Sequence, residues 1–487
     1  MERPEFKLWT LTAVAACCAI AAAGCGQRPA QFRLNMVAMT KNNVGEAQQQ
    51  QIADILAALF GTPDEPFAPA ETGLDLDKLR RASGPVHRDA PTGSPKGLYR
   101  EHCVHCHGIS GDGAGPTAAF LNPYPRDYRE GWFKFKSTKL PDRPTAANLM
   151  RTLHEGISGT AMPSFKLMPE IDRDALVEYV RYLSIRGEME LALADAAHEA
   201  KDTPLAVDHD ALVEILDPIA SSWQKPTEVA VTDRPADMQF DKIEDPAKQK
   251  AALDASIALG REMFTHEAEF TFENKHYQGA ACIKCHGPTA LGDGQASDYD
   301  DWTKFAYDPT KWSYWNAERW GEKPTKQGEL IPEWLVEPLG ALPERNIVPR
   351  NLRLGVYRGG RRPLDIYYRL HEGIKGTPMP QIAVLYLPGE VDELKKSAAA
   401  DFAKSNPEPT KKDGESDADF EKRHKSWESQ QTAQVNKKVD AAKQDLQNRR
   451  TWNVIDYVLS VPYEPGRGEL GADADITDVG HGELHAR

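Results

Sequence analysis

Beyond a single stretch, Leu8–Ala23, this chain has no long apolar run. That excludes a bundle of membrane-spanning helices. An excess of positive charge is also missing: Lys and Arg number 59 against 73 Asp and Glu, a net charge of −14. A nucleic-acid binder is therefore not expected, since such proteins carry a basic face. The acidic balance suits a basic docking partner, or simply solubility. Cysteine is scarce, with seven in 487 residues. Cys17 and Cys18 fall in the apolar run, Cys25 just after it, and the other four in two short motifs. None is left for a structural disulfide or a four-cysteine zinc site.

The apolar run follows Arg3 and Lys7 and is short and alanine-rich for a span, which reads as a secretory signal over residues 1–24. Its end, Ala22-Ala23-Gly24-Cys25, resembles a bacterial lipobox, so Cys25 is the expected lipidation site. Ala22 stands where a larger aliphatic residue is usual, and ordinary cleavage or an uncleaved anchor are the alternatives. The expected location is the periplasmic side of a bacterial envelope, lipid-anchored to membrane.

The two motifs are Cys103-Val104-His105-Cys106-His107-Gly108 and Cys282-Ile283-Lys284-Cys285-His286-Gly287. C-x-x-C-H reads as covalent attachment of c-type haem. Two thiols on one helical turn can each add to a vinyl group of the same haem, and the following His meets the iron. A zinc half-site or a redox thiol pair are the alternatives for one copy; two copies in similar surroundings favour haem. Cys103, Cys106, Cys282 and Cys285 are then the thioether positions, and His107 and His286 the proximal ligands.

Residues 25–93 read as an N-terminal tether. It carries one amphipathic helix, on the stripe Ile52, Ile55, Leu56, Leu59 and Phe60, stopped at Gly61-Thr62-Pro63. The first domain is placed at 94–187, ending in a stripe of Leu176, Tyr179, Val180 and Leu183 with Asp172 as N-cap. An irregular linker at 188–252 comes next, with His198 and His209 solvated. The second domain is placed at 253–465 with insertions at about 299–345 and 385–450, before a tail at 466–487. The first insertion holds Trp302, Trp312, Trp315, Trp320 and Trp334, read as local core or a cofactor cover. The second is charged and helical, broken near Asn406-Pro407-Glu408-Pro409, and the closing stripe returns at Val454, Tyr457, Val458 and Val461.

A repeat stands after each motif. Leu153-His154-Glu155-Gly156-Ile157-Ser158-Gly159-Thr160-Ala161-Met162-Pro163 matches Leu370-His371-Glu372-Gly373-Ile374-Lys375-Gly376-Thr377-Pro378-Met379-Pro380 at nine of eleven positions. Upstream, Pro125-Arg126-Asp127 parallels Pro349-Arg350-Asn351. The order of aromatic lead helix, C-x-x-C-H-G, glycine loop, G-I-x-G-T-x-M-P and aromatic closing helix resembles class I cytochrome c, twice over.

That resemblance implies an all-α fold of two cytochrome c-like haem domains, the second with large insertions, and two covalent haem c groups. By position it makes Met162 and Met379 the sixth iron ligands. His154 and His371 are the bis-histidine alternative, and Met168 a weaker one in the first domain. It also matches Pro116 to a proline whose carbonyl orients the proximal histidine, with no clear counterpart in the second domain. Arg126 and Arg350 are candidate propionate contacts, exposed loop charges being the alternative. Gly111-Asp112-Gly113 and Gly292-Asp293-Gly294 are read as turns, for they lack the further carboxylates of a calcium loop.

The expected function is membrane-tethered electron transfer in a respiratory chain, between a quinol-oxidising complex or dehydrogenase and a terminal oxidase. The chain is expected to act as a free carrier or a complex subunit and not as an enzyme. Its partners would be respiratory membrane complexes or redox proteins. Similar proteins are the dihaem subunits of cbb-type oxidases and the haem-c subunits of alternative complex III. The alternative is a dihaem peroxidase-like enzyme using the second haem.

Overall fold

A computed structural model describes residues 29–87, 94–201, 203–229, 234–294, 298–325 and 329–464. Cys25, the apolar run at 8–23 and the tail at 466–487 lie outside the described residues. The fold is mostly helical. Among the described residues, four short strands in two antiparallel pairs interrupt it, so the all-α expectation holds only in outline.

The stripe at Ile52 forms α1 (Glu46–Phe60), with Ile52, Leu56 and Phe60 fully buried. The stretch after α1 is no stand-off tether. Residues 63–84 lie against the core through α2 (Leu76–Ala82), whose Leu79 and Ala82 are buried. Arg81 Nε donates to Asp172 Oδ1 at 2.5 Å, pinning α2 to the long helix that closes the first unit. A glycine- and proline-rich composition made this stretch look like a linker; a few spaced apolar residues dock it instead.

α3 (Ala146–Glu155) starts at Thr145, whose hydroxyl accepts the Asn148 N–H, and leads into the first Met loop. α4 (Glu170–Ala200) carries Leu176, Tyr179, Val180 and Leu183, all buried. Its N-cap is Pro169, not Asp172, which lies one turn in and pairs with Arg81 and Lys96. The helix also runs thirteen residues past the expected boundary at 187, burying Met189, Leu193, Ala194 and Ala197. α5 (His209–Gln224) packs back with Leu216 and Trp223 buried, and the Trp223 indole donates to Glu188 Oε1 at 2.8 Å. Much of the expected linker thus belongs to the first hydrophobic cluster. His209 is exposed, and the exposed His198 keeps Nδ1 2.9 Å from the Asn42 carbonyl.

A second cluster gathers Val229, Met238 and Phe240 with α6 (Pro246–Thr265) and the end of the chain's longest described helix. After α6 comes a hairpin, β1 (Glu269–Phe272) with β2 (Lys275–Gln278), in the long gap before Cys282. The first insertion is closed off by β3 (Asp298–Tyr299) pairing with β4 (Asn346–Ile347). Inside it, Tyr307, Trp312, Ile331, Leu335 and Val336 build a cluster of their own, with Trp315 and Trp320 packed on it. Trp312, Trp315 and Trp320 are therefore local core, although Trp334 is 59% exposed.

α7 (Pro363–Glu372) leads into the second Met loop. α8 (Pro388–Ser405) and α9 (Asp417–Ser460) form the charged insertion, and the break falls between them as expected. The closing stripe does not start a new helix: it is the last third of α9, buried all round from Arg450 to Leu459. α6 crosses it closely, for a Cβ on Gly260 would run into the Asn453 carbonyl. Among the described residues, no helix is long and apolar enough to cross a membrane.

Candidate haem sites

Each C-x-x-C-H ends a short helical turn, Val104–His107 and Ile283–His286. The next residue, a glycine, has φ +73° in both, a left-handed backbone that ordinary residues resist. A Cβ there would also strike the side chain of Asp112 or Asp293. Asp112 shapes a tight turn, its Oδ1 accepting the Ala114 N–H at 3.0 Å. Among the described residues no group of three or more His, Cys, Asp or Glu is placed to hold a metal ion.

His107 Nδ1 lies 3.0 Å from the Arg126 carbonyl, and His286 Nδ1 lies 3.3 Å from that of Arg350. The carbonyl that faces His107 is therefore not that of Pro116, and His286 has its own counterpart in Arg350. Burial lowers His107 to about 4 and His286 in the same direction, so both rings are neutral near pH 7. A neutral imidazole that donates Nδ1–H keeps the Nε2 lone pair for a metal. Tyr128 stacks on His107, ring centroids 4.7 Å apart and 17° from parallel, while Phe264 lies 6.0 Å from His286. Phe264 belongs to the aromatic lead helix, whereas no motif in the sequence marks Tyr128 for this place.

The thiols are free, and burial pushes Cys103 and Cys282 up to about 12. Above them the lead and closing helices meet through aromatics, Tyr99 with Tyr179 at 4.9 Å and Phe264 with Tyr457 at 5.2 Å.

The two Met loops match bond for bond. Thr160 Oγ1 donates to the Ile157 carbonyl at 2.8 Å and accepts the Met162 N–H at 3.1 Å. Thr377 does the same to Ile374 and Met379, at 2.8 and 3.2 Å. The Ile157 N–H returns to the Met162 carbonyl at 3.1 Å, and Ile374 to Met379 at 3.1 Å. This closed ring of bonds is the physical content of I-x-G-T-x-M. Met162 packs on the first hydrophobic cluster, as does Met168, and Met379 packs on the second. His154 is exposed; His371 stacks on Tyr367 at 5.5 Å with Nδ1 2.9 Å from Glu372 Oε1.

The family model for cytochrome c matches residues 95–184. That stretch is a cytochrome c domain. The residues found there fit the covalent haem c that such a domain carries: two free thiols on one turn, a neutral His with Nε2 available, and an apolar wall. In the cytochrome c domain Cys103 and Cys106 would hold the group, and haem iron supplies a reversible one-electron couple. No curated protein matches the chain. Among solved structures, a chain of the Kuenenia stuttgartiensis reducing HAO-like protein complex aligns at 18% identity and TM-score 0.36, over 75% of this chain and 94% of that one.

Arg126 and Arg350 stand apart from the exposed-charge alternative. Burial lowers Arg126 to about 10, and Arg350 Nε donates to the Val356 carbonyl at 2.9 Å.

Proposed function

We propose that the chain is a dihaem c-type cytochrome that relays electrons at the periplasmic face of a bacterial membrane, held there by an acylated Cys25. The supporting observation is that the second site repeats the first group by group: free thiols, a His bonded to the carbonyl of an equivalent arginine, and a Met loop closed by the same set of bonds. His107 with Met162, and His286 with Met379, are the proposed axial pairs. Thioether sulfur favours reduced iron, so such pairs suit a high-potential carrier. The proposed place is between a quinol-oxidising complex or dehydrogenase and a terminal oxidase. A peroxidase needs a labile sixth position, and the bonds holding Met379 are the same as those holding Met162.

Intact mass of the purified protein should show two covalent haems. Replacing Met162 or Met379 by Ala should each remove half of the Met-to-iron charge-transfer absorbance. Cys25→Ala should release the protein from the membrane fraction. A protein with one haem, or with steady peroxide turnover, would overturn this reading. A membrane complex that stays bound in mild detergent would identify a fixed subunit instead of a free carrier.

A further inference from the structure

The two units touch through equivalent positions. Trp132 and Val356 each stand six residues after Arg126 and Arg350. Lys375, in the second Met loop, lies 4.1 Å over the Trp132 ring. Gly159, in the first Met loop, faces Val356 and Arg350, and a Cβ there would come 3.1 Å from Val356 Cγ1. Each Met loop thus rests on the same place in the other unit. Phe135 and Gly359, each nine residues after those arginines, meet each other directly. Reciprocal contacts around a self-paired position are the mark of an isologous, two-fold interface.

Lys134 and Arg358, each eight residues after the arginines, lie beside this pseudo-axis, close enough to repel one another. We propose that Arg126, Lys134, Arg350 and Arg358 form one shared carboxylate site on the pseudo-two-fold axis, taking the propionates of both haems. The inference rests on the dihaem reading. It goes beyond separate propionate contacts in each unit, because it makes one seam serve two cofactors.

Burial, and then Arg126, lowers Lys134 to about 8; burial, and then Arg350, lowers Arg358. Arg358 Nε is buried without a hydrogen-bond partner. The carboxylates facing this group are Asp300, whose Oδ2 is 3.3 Å from Lys134 Nζ, with Asp127 and Glu130 beside Arg126. The charged neighbour acting on Arg358 is another cation, so that end of the seam calls for an anion. Propionates meeting here would turn the two haem edges toward each other, and a change at one iron would be felt at the other.

The test uses the full-length holoprotein carrying Lys134→Gln or Arg358→Gln, with Lys134→Arg and Arg358→Lys as charge-retaining controls. Covalent haem is counted by intact mass, and both one-electron transitions are followed by redox titration. Losing a cation favours oxidised iron. Either Gln variant should raise the oxidised-to-reduced ratio of both haems about tenfold at fixed ambient potential, a downward shift of about 59 mV. The controls should leave both transitions in place. If each Gln variant moves only one transition, or neither, the shared seam is wrong while the dihaem reading stands. If the charge-retaining and Gln variants shift alike, the effect is packing and the seam is likewise wrong. Fewer than two covalent haems in the unaltered protein would overturn both.

Discussion

The carbonyl oxygen of Arg126 lies 3.0 Å from Nδ1 of His107, and Arg350 stands in the same relation to His286 at 3.3 Å. A repeated Pro-Arg pair draws attention to its guanidinium groups, yet the main chain carries this contact. Arg126→Gln and Arg350→Gln should therefore keep the proximal bond. Both variants should retain low-spin spectra, which absorption and magnetic circular dichroism would check; a high-spin signal would show that the side chain holds the ring.

Thr160 and Thr377 each tie a Met to the start of its own loop. Thr→Val keeps the volume and removes both bonds, leaving a Met N–H without its acceptor. Each variant should lose about 1–3 kcal/mol in loop closure. Carbon monoxide should bind the reduced Thr160→Val protein faster than the parent, as flash photolysis or stopped flow would measure. Thr377→Val should do the same at the second site.

Gly108 and Gly287 share φ +73° and sit against Asp112 and Asp293. Alanine at either position brings left-handed strain of about 1–2 kcal/mol, together with a contact that the aspartate turn must yield to. Gly108→Ala and Gly287→Ala should each lower the urea midpoint and the yield of covalently loaded protein. An unchanged midpoint would mean that the turn relaxes freely.

Arg151 clamps Asp365 between α3 and α7, and the carboxylate is only 1% exposed, with Arg362 as its second partner. Burial pushes Asp365 up, but the hydrogen bonds from Arg151 and Arg362 outweigh it and hold the carboxyl below its ordinary value. A depressed folded pKa adds stability that is present above the unfolded value near 4 and fades as pH falls through the folded one. Arg151→Ala should thus destabilise by up to about 3 kcal/mol at pH 7, and by much less at pH 3. Urea titrations at the two pH values would show the difference.

Glu130 behaves in the opposite sense. Burial, and then Asp127, raises it to about 7. The folded state therefore binds this proton more tightly than the unfolded chain, and stability is lost as pH rises from the unfolded value near 4.3 to about 7. Glu130→Gln should stabilise the protein at pH 8 and have little effect at pH 4, by thermal melts at each.

Local chemistry was legible from residues alone. Thiol spacing, the glycine after His, and the Thr-x-Met loop act within a few residues, so their geometry comes from backbone rules that the sequence displays. Helix stripes such as Ile52–Phe60 were readable for the same reason, as was the helix break at Asn406–Pro409. Boundaries were not. Asp172 looked like a cap because short polar residues favour that place, but Arg81 and Lys96 recruit it one turn later. Residues 63–84 read as a connector from their glycine and proline, and 188–224 from their polar, acidic composition; only the surfaces they meet show that their few apolar residues are enough.

The sequence by itself determined that two like motifs exist, which side chains each presents, and where each Met loop falls. Tertiary structure alone decided which carbonyl faces each histidine, since Arg126 and Arg350 approach through loops of different length. It also decided that Lys134 and Arg358 share a seam. A duplicated segment gives two related faces, but whether those faces meet depends on long-range packing, set here by contacts such as Gly359 on Phe135 and Arg151 on Asp365.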